Sequence, residues 1–343
     1  MNGNFQKLSA SHIAAKLKIA ASANKSLMIL CHQNPDGDTV ASAFALKLMY
    51  DALCGVPRAR CVCTSEGAPY LTHFYRGQES IAYIPGEEKK FDLKISVDVA
   101  SPKQLGKLQF LATDVDFMID HHAMGESFAD YYTVPTASAA GELVWSVYEN
   151  LMIDGLPAMP DVARLIYAAI SADTGSFRYS NTTPDTMNIG ANLLREINGA
   201  RDGGESASEI ARLLHENTTM GELKAQRLAI DSLKFAADGR LAYIIFTADM
   251  LEANGISELD IGGIVDLPRS IEGVQIGVTV KQNRVDRQLF RVSSRANGKA
   301  NVAKVCATLG GGGHDKAAGA TVTAQSPEEA EKLIVEEFSK ALI

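Results

Sequence analysis

Through the first half of the chain, short apolar runs that stop at polar residues alternate with apolar positions at helical spacing. "SLMILCH" carries a run over 27–31 that breaks at His32, and "TVASAFALKLMYDAL" follows with helical spacing. "FDLKISVDVAS" and "VDFMIDHH" repeat the strand pattern, closing on Asp98 and on Asp120, His121 and His122. "SAAGELVWSVYENLM" reads as an amphipathic helix, and "PDVARLIYAAISADTGSF" as another that opens on Pro-Asp and runs to Asp173. Strands separated by helices predict βαβ units: an α/β domain with a mostly parallel sheet flanked by helices, over 1–185.

The pattern then changes. A polar helical stretch over 186–235, broken at Gly203 and Gly204, predicts a connector. From about 239, "RLAYIIFTADML", "VQIGVTVKQN" and "RQLFRVSSR" read as strands and "NVAKVCATL" as a helix. "GGGGHDKAAGATV" reads as a glycine loop leading into a strand, and "SPEEAEKLIVEEFSKALI" as a capped helix. These make a smaller α+β domain over 236–343. The N-terminal "MNGNFQKLSASHIAAKLKIAASANK" reads as an amphipathic helix without a secretory apolar core, and no apolar stretch reaches the roughly 18 residues of a membrane span. A cytoplasmic protein without membrane contact is expected.

Composition narrows this picture. A length of 343 residues suits two domains, and a hydrophobic fraction of 46% suffices for a core in each. The net charge of −8 argues against coating long nucleic acid, duplex included. Yet Lys281, Arg284, Arg287, Arg291, Arg295 and Lys299 face one acid, Asp286, over 281–299, which predicts a locally bound small anion. The five cysteines, at 31, 54, 61, 63 and 306, read as reduced and mostly buried thiols.

The candidate chemistry gathers at the predicted strand ends. His32, Asp36, Asp38, Asp98, Asp120, His121, His122 and Asp173 come from four separated segments. In an open parallel sheet, ligands bind outside the carboxyl ends of the strands. Carboxylates and imidazoles without thiolates suit Mn²⁺, Mg²⁺ or Fe better than structural Zn²⁺. Six or seven such donors exceed the need of one ion and match a pair roughly 3.5–4 Å apart that shares a carboxylate. Downstream, the glycines at 310–313 allow close approach of backbone N–H groups to an anion. With Arg295 before and His314 after, they read as a pocket for nucleotide phosphate or base.

Taken in order, "HQNPDGD", "SVDVAS", "DHH" and "SADTGSFRYSNTTP" resemble the four motifs of the DHH phosphoesterase family, and "GGGGHDKAAGA" resembles the signature of its DHH-associated C-terminal domain. The layout is most similar to the family's bifunctional oligoribonuclease and 3′-phosphoadenosine 5′-phosphate phosphatase branch. One departure is Ala41, where many relatives carry Gly before Ser42.

The resemblance implies two divalent cations, Mn²⁺ foremost, with Mg²⁺ or Fe as alternatives. His32 and Asp36 would hold the first, and Asp38, His121 and Asp173 the second, with Asp98 bridging. Asp120 would orient an imidazole, and His122 would reach the substrate phosphate. Arg295, Gly311, Gly312, Gly313 and His314 would bind substrate, with a catalytic cleft between the domains. The implied reaction is hydrolysis of short RNA oligonucleotides or 3′-phosphoadenosine 5′-phosphate by an activated water, in a protein that could pair as a homodimer. The alternatives are a cyclic-di-AMP or linear-dinucleotide phosphodiesterase and a nucleotide sensor that does not hydrolyse.

Overall fold

The computed structural model describes residues 5–65, 67, 71, 74, 80–199, 206–216 and 218–342, the side chains of Leu259 and His314 excepted. The chain divides into two compact units, Met1–Asn217 and Thr218–Ile343. No described helix is long and apolar enough to cross a membrane.

The first unit runs α1 (Ala10–Ser22), β1 (Leu27–Leu30), α2 (Gly37–Cys54), β2 (Ala59–Val62), β3 (Leu93–Val97), β4 (Phe117–Asp120), β5 (Asp130–Thr133), α3 (Ala140–Ile153), α4 (Pro160–Thr174), α5 (Pro184–Gly199) and α6 (Ala207–His215). Its five strands form one parallel sheet in the order β2-β1-β3-β4-β5. All four residues of β1 are buried because both faces are covered, as a parallel sheet requires. Leu27 and Ile29 pack with the helical layer, whereas Met28 and Leu30 pack against Leu105, Leu108 and Leu111 of a 3₁₀ stretch, Pro102–Asp114. The strand order reverses between β1 and β3, and the crevice beyond their carboxyl ends is the topological switch point.

The second unit comprises α7 (Met220–Asp231), β6 (Lys234–Ala236), β7 (Leu241–Phe246), α8 (Ala248–Ala253), α9 (Asp266–Arg269), β8 (Ile276–Gln282), β9 (Leu289–Ala296), α10 (Val302–Thr308), β10 (Gly312–His314), β11 (Ala317–Thr323) and α11 (Pro327–Ser339). Its mixed sheet has the order β10-β11-β9-β8-β7-β6, parallel at β7–β8 and antiparallel elsewhere. The parallel α/β unit followed by an α+β unit is the fold class expected from the pattern.

Some particulars differ. The glycine run does not stay a loop: Gly312, Gly313 and His314 pair with β11. A Cβ at Gly311 would sit 2.1 Å from Gly319 O, so the missing side chain is what lets the two segments close. The polar helical stretch contributes α5 and α6 to the first unit and α7 to the second. Its break at Gly203 and Gly204 lies outside the described residues.

Candidate metal centre

Three strand ends deliver the acidic and imidazole groups. β1 ends at Leu30 and is followed by His32; β3 ends at Val97, just before Asp98; and β4 ends on Asp120, ahead of His121 and His122. Asp36 is the N-cap of α2, accepting from Thr39 N at 3.1 Å, and Asp38 lies in that helix's first turn. Asp173 corrects the strand-end expectation, because it sits in the last turn of α4. Its position is held by an abrupt stop. Gly175, Ser176 and Phe177 are all left-handed, with φ of 56°, 56° and 63°, and Asn181 Nδ2 donates to Asp173 O at 3.1 Å.

Within this edge the donor atoms face one another at distances longer than hydrogen bonds. His32 Nε2 lies 3.6 Å from Asp36 Oδ2 and 3.4 Å from Asp98 Oδ2. His121 Nε2 lies 3.4 Å from Asp173 Oδ2, 3.6 Å from Asp98 Oδ1 and 3.9 Å from Asp38 Oδ2. Two sets of three can each close around an ion, His32–Asp36–Asp98 and Asp38–His121–Asp173. Asp98 turns one oxygen toward each set. A third combination, Asp98–His121–His122, shares the same space. There, however, His122 Nδ1 is already 2.8 Å from Asp120 Oδ1, so ligation through that nitrogen would break a hydrogen bond.

The surrounding contacts aim these groups. Asp38 is fully buried and accepts from the amides of Ala140 (2.7 Å) and Gly141 (3.0 Å) and from Ser42 Oγ (3.0 Å), so the positive end of α3 points at it. His121 Nδ1 is 3.2 Å from Ala137 O, which turns Nε2 toward the carboxylates. Cys63 Sγ donates to His32 O at 3.0 Å, and Thr39 Oγ1 donates to Val97 O at 3.1 Å. None of these supports follows from strand-end reasoning. The signal available for the Asp38 contact was the run of small residues in "TASAAGE", which lets a helix start come close.

Gly37 allows the ligand-bearing turn to sit against α4. A Cβ there would lie 2.7 Å from Ala172 Cβ. Ala41, the departure from the family pattern, is fully buried in α2.

The electrostatics ask for cations. Burial, then the charges of Asp98 and Asp173, pushes the Asp38 carboxyl well above its ordinary range. Burial, then Asp36 and Asp98, does the same to Asp173. Burial would raise Asp98 too, but His32 contact and the three imidazoles overcome it and hold it at about 2. Burial alone would lower His32 and His122. The charge of Asp36 and contact with Asp98 raise the first well above its usual value, and Asp120 raises the second to about 9.

A divalent pair fits the residues present. Asp98 Oδ1 is buried and makes no hydrogen bond, a costly state for a carboxylate unless something positive faces it. Asp98 also has φ 58°, a left-handed backbone that its short polar side chain tolerates. The all-oxygen-and-imidazole donor set suits hard to borderline ions.

The residues expected to bind substrate lie in the second unit. Arg295 on β9 and His314 on β10 both stand opposite Ala317 of β11, so one row across the sheet carries them. Arg295 is half-buried and donates to Ser294 O at 3.1 Å. Gly311, Gly312 and Gly313 are exposed, and the side chain of His314 lies outside the described set.

Comparison with known proteins agrees with this division. A family model described as "DHH family, N-terminal domain" matches residues 26–170, and one described as "DHHA1 domain" matches 241–342. The chain is 25% identical over 326 residues to the bifunctional oligoribonuclease and PAP phosphatase NrnA of Thermus thermophilus, covering 92% of this chain and 90% of that one. It is 26% identical over 306 residues to the protein of the same description from Bacillus subtilis, covering 89% and 91%. Among solved structures, an exopolyphosphatase-related protein from Bacteroides fragilis shares the fold with a TM-score of 0.83 at 21% identity, covering 96% of each chain.

Proposed function

The chain belongs to the DHH family and carries its DHHA1 domain, and from that premise we propose that it hydrolyses short RNA oligonucleotides and 3′-phosphoadenosine 5′-phosphate with two divalent cations. It is a hydrolase acting on phosphoesters, a metal-dependent phosphoesterase for nucleotides. The observation that carries the finer reading is Asp98. Its two oxygens address different sets of three donors, and one of them is buried without a hydrogen bond.

His32, Asp36, Asp38, Asp98, His121 and Asp173 would hold the cations. Bound there, the cations supply Lewis-acid polarisation of phosphoryl oxygens and an acidified water. Asp120 fixes the His122 ring through Nδ1 and leaves Nε2 as the atom that donates to a substrate phosphate oxygen. The α3 amides offset part of the rise that burial and the neighbouring carboxylates impose on Asp38. In the second unit, Arg295 and the exposed glycines Gly311, Gly312 and Gly313 would border nucleotide phosphate, the Gly311 amide itself already donating to Cys306 O at 2.7 Å. A few neutralised phosphates suffice for a short substrate, which reconciles RNA processing with a net charge of −8.

The test is a panel assayed with Mn²⁺: RNA dinucleotides and pentanucleotides, 3′-phosphoadenosine 5′-phosphate, cyclic-di-AMP and long single-stranded DNA. Fastest turnover of the short RNAs and of 3′-phosphoadenosine 5′-phosphate is expected. Preference for cyclic-di-AMP or long DNA would replace the substrate assignment, and inertness toward all would favour a sensor.

A further inference from the structure

A cavity of about 360 Å³ opens between α3 and α5 of the first unit, and none of the metal ligands lines it. Two ties hold these helices side by side. Thr186 Oγ1 donates to Glu142 Oε1 at 2.6 Å near both helix starts, and Tyr148 Oη donates to Glu196 Oε1 at 2.6 Å further along. The lining is helical on both sides. α3 contributes Glu142, Trp145, Ser146 and Glu149, and α5 contributes Asp185, Asn188, Ile189 and Asn192, each set at i, i+3, i+4 and i+7. One stripe of each helix therefore faces the same space, and Tyr132 and Val134, in and just after β5, complete the wall.

Three carboxylates reach this space, and among the described residues no cationic side chain lines it. Glu142 is 7% exposed. Ser138 Oγ and Thr186 Oγ1 both donate to its Oε1, which leaves Oε2 unbonded at the cavity. Glu149 is half-buried two turns further along α3, about 10 Å away by helical rise. Asp185 is exposed in the first turn of α5. Among the described residues neither Glu149 nor Asp185 makes a side-chain hydrogen bond or a salt bridge. Arg195 Nη1 donates to the Asn192 amide oxygen at 2.7 Å, not to a carboxylate.

Carboxylates drawn out of water without a counter-charge are costly. Burial alone pushes the Glu149 carboxyl up, an effect that a cation beside it would reverse. The walls decide which kind of cation fits. Val134, Leu143 and Ile189 are apolar, and a small divalent ion keeps several waters that such walls do not bond. An ammonium carried on a methylene chain satisfies both surfaces. Its charged end makes charge-assisted hydrogen bonds to a carboxylate, and its chain lies along the apolar wall as a lysine stem does.

We propose that this cavity is a binding site for an aliphatic diamine, with one ammonium at the Glu142 and Asp185 end and the other at Glu149. The site is separate from the metal centre but shares a wall with it. Ala137, whose carbonyl meets His121 Nδ1, lines the cavity, and Glu142 directly follows the Ala140 and Gly141 amides that meet Asp38.

Trp145 lines the cavity and is the chain's only tryptophan, so its emission reports occupancy. The full-length protein is titrated with 1,5-diaminopentane by calorimetry and by Trp145 fluorescence, with saturating Mn²⁺ to keep the amine off the metal centre. Saturable binding with a shift of the emission is expected, about tenfold or more tighter than that of 1-aminopentane. Glu149→Gln and Asp185→Asn are each expected to weaken the diamine about tenfold or more while circular dichroism stays native. Four results would each overturn the site: no saturable binding to the wild type, binding that leaves the Trp145 emission unchanged, a monoamine bound as tightly, or undiminished binding in either variant. Every readout is binding, so the result stands whether or not the phosphoesterase reading does.

Discussion

Asp98 concentrates the chemistry of the site in one residue. It is buried, left-handed and shared between two donor sets, and backbone strain of about 1–3 kcal/mol is tolerated where function over-determines a conformation. Asp98→Ala is expected to lower Mn²⁺-dependent turnover by about 10²–10³-fold or more while far-UV circular dichroism stays native. Asp98→Asn, which keeps the backbone preference, should be as inactive; substantial turnover in either would remove the bridging role. A pH dependence follows from Asp38 and Asp173. Their pKa values are raised in the folded, metal-free chain, so the stability they contribute is present at acid pH and lost as pH rises through those values. Cations bind the deprotonated forms. The rise in Tm on adding Mn²⁺ should therefore grow as pH increases from 5 to 8, measured by thermal melts; a rise independent of pH would contradict these ligands. That these Asp and His side chains gather in one place was legible in the sequence, because four separated segments each close an apolar run or helix on such a residue. The left-handed Asp98 was not, since φ is imposed by the pairing of β3 with β4.

At the scale of elements, α3 and α2 do the positioning. α3 starts where its first amides meet a carboxylate 102 residues earlier in the chain, and no local pattern announces a contact over that separation. Gly37→Ala is expected to push α2 off α4 and cost about 1–3 kcal/mol. Chemical denaturation should show this, together with weaker Mn²⁺ binding by calorimetry. A variant of unaltered stability and affinity would show that close packing there is not required. The strong strands and amphipathic helices were legible from periodicity. β2 and β5 were not, because "ARCV" and "DYYT" are edge strands whose identity comes from pairing, not from an apolar run. The second half of the glycine signature became a strand for a related reason. Backbone approach to β11, not side-chain pattern, decided it.

Across the whole molecule, the groups that call for a cation lie in one unit. Removing divalent ions should therefore destabilise the first unit selectively. A ligand at about 100 times its Kd adds roughly 2.7 kcal/mol, or about 5–10 °C for a unit of this size. Hydrogen exchange with and without a chelator should show the loss of protection in β1, β3, β4 and α2, and not in β8 or β9.

The most direct measurement of the central claim is the anomalous scattering of manganese in a crystal of the protein grown with Mn²⁺. Two peaks are predicted, one beside His32 and Asp36 and the other beside Asp38, His121 and Asp173, with Asp98 touching both. A single peak elsewhere, or none among these side chains, would contradict it.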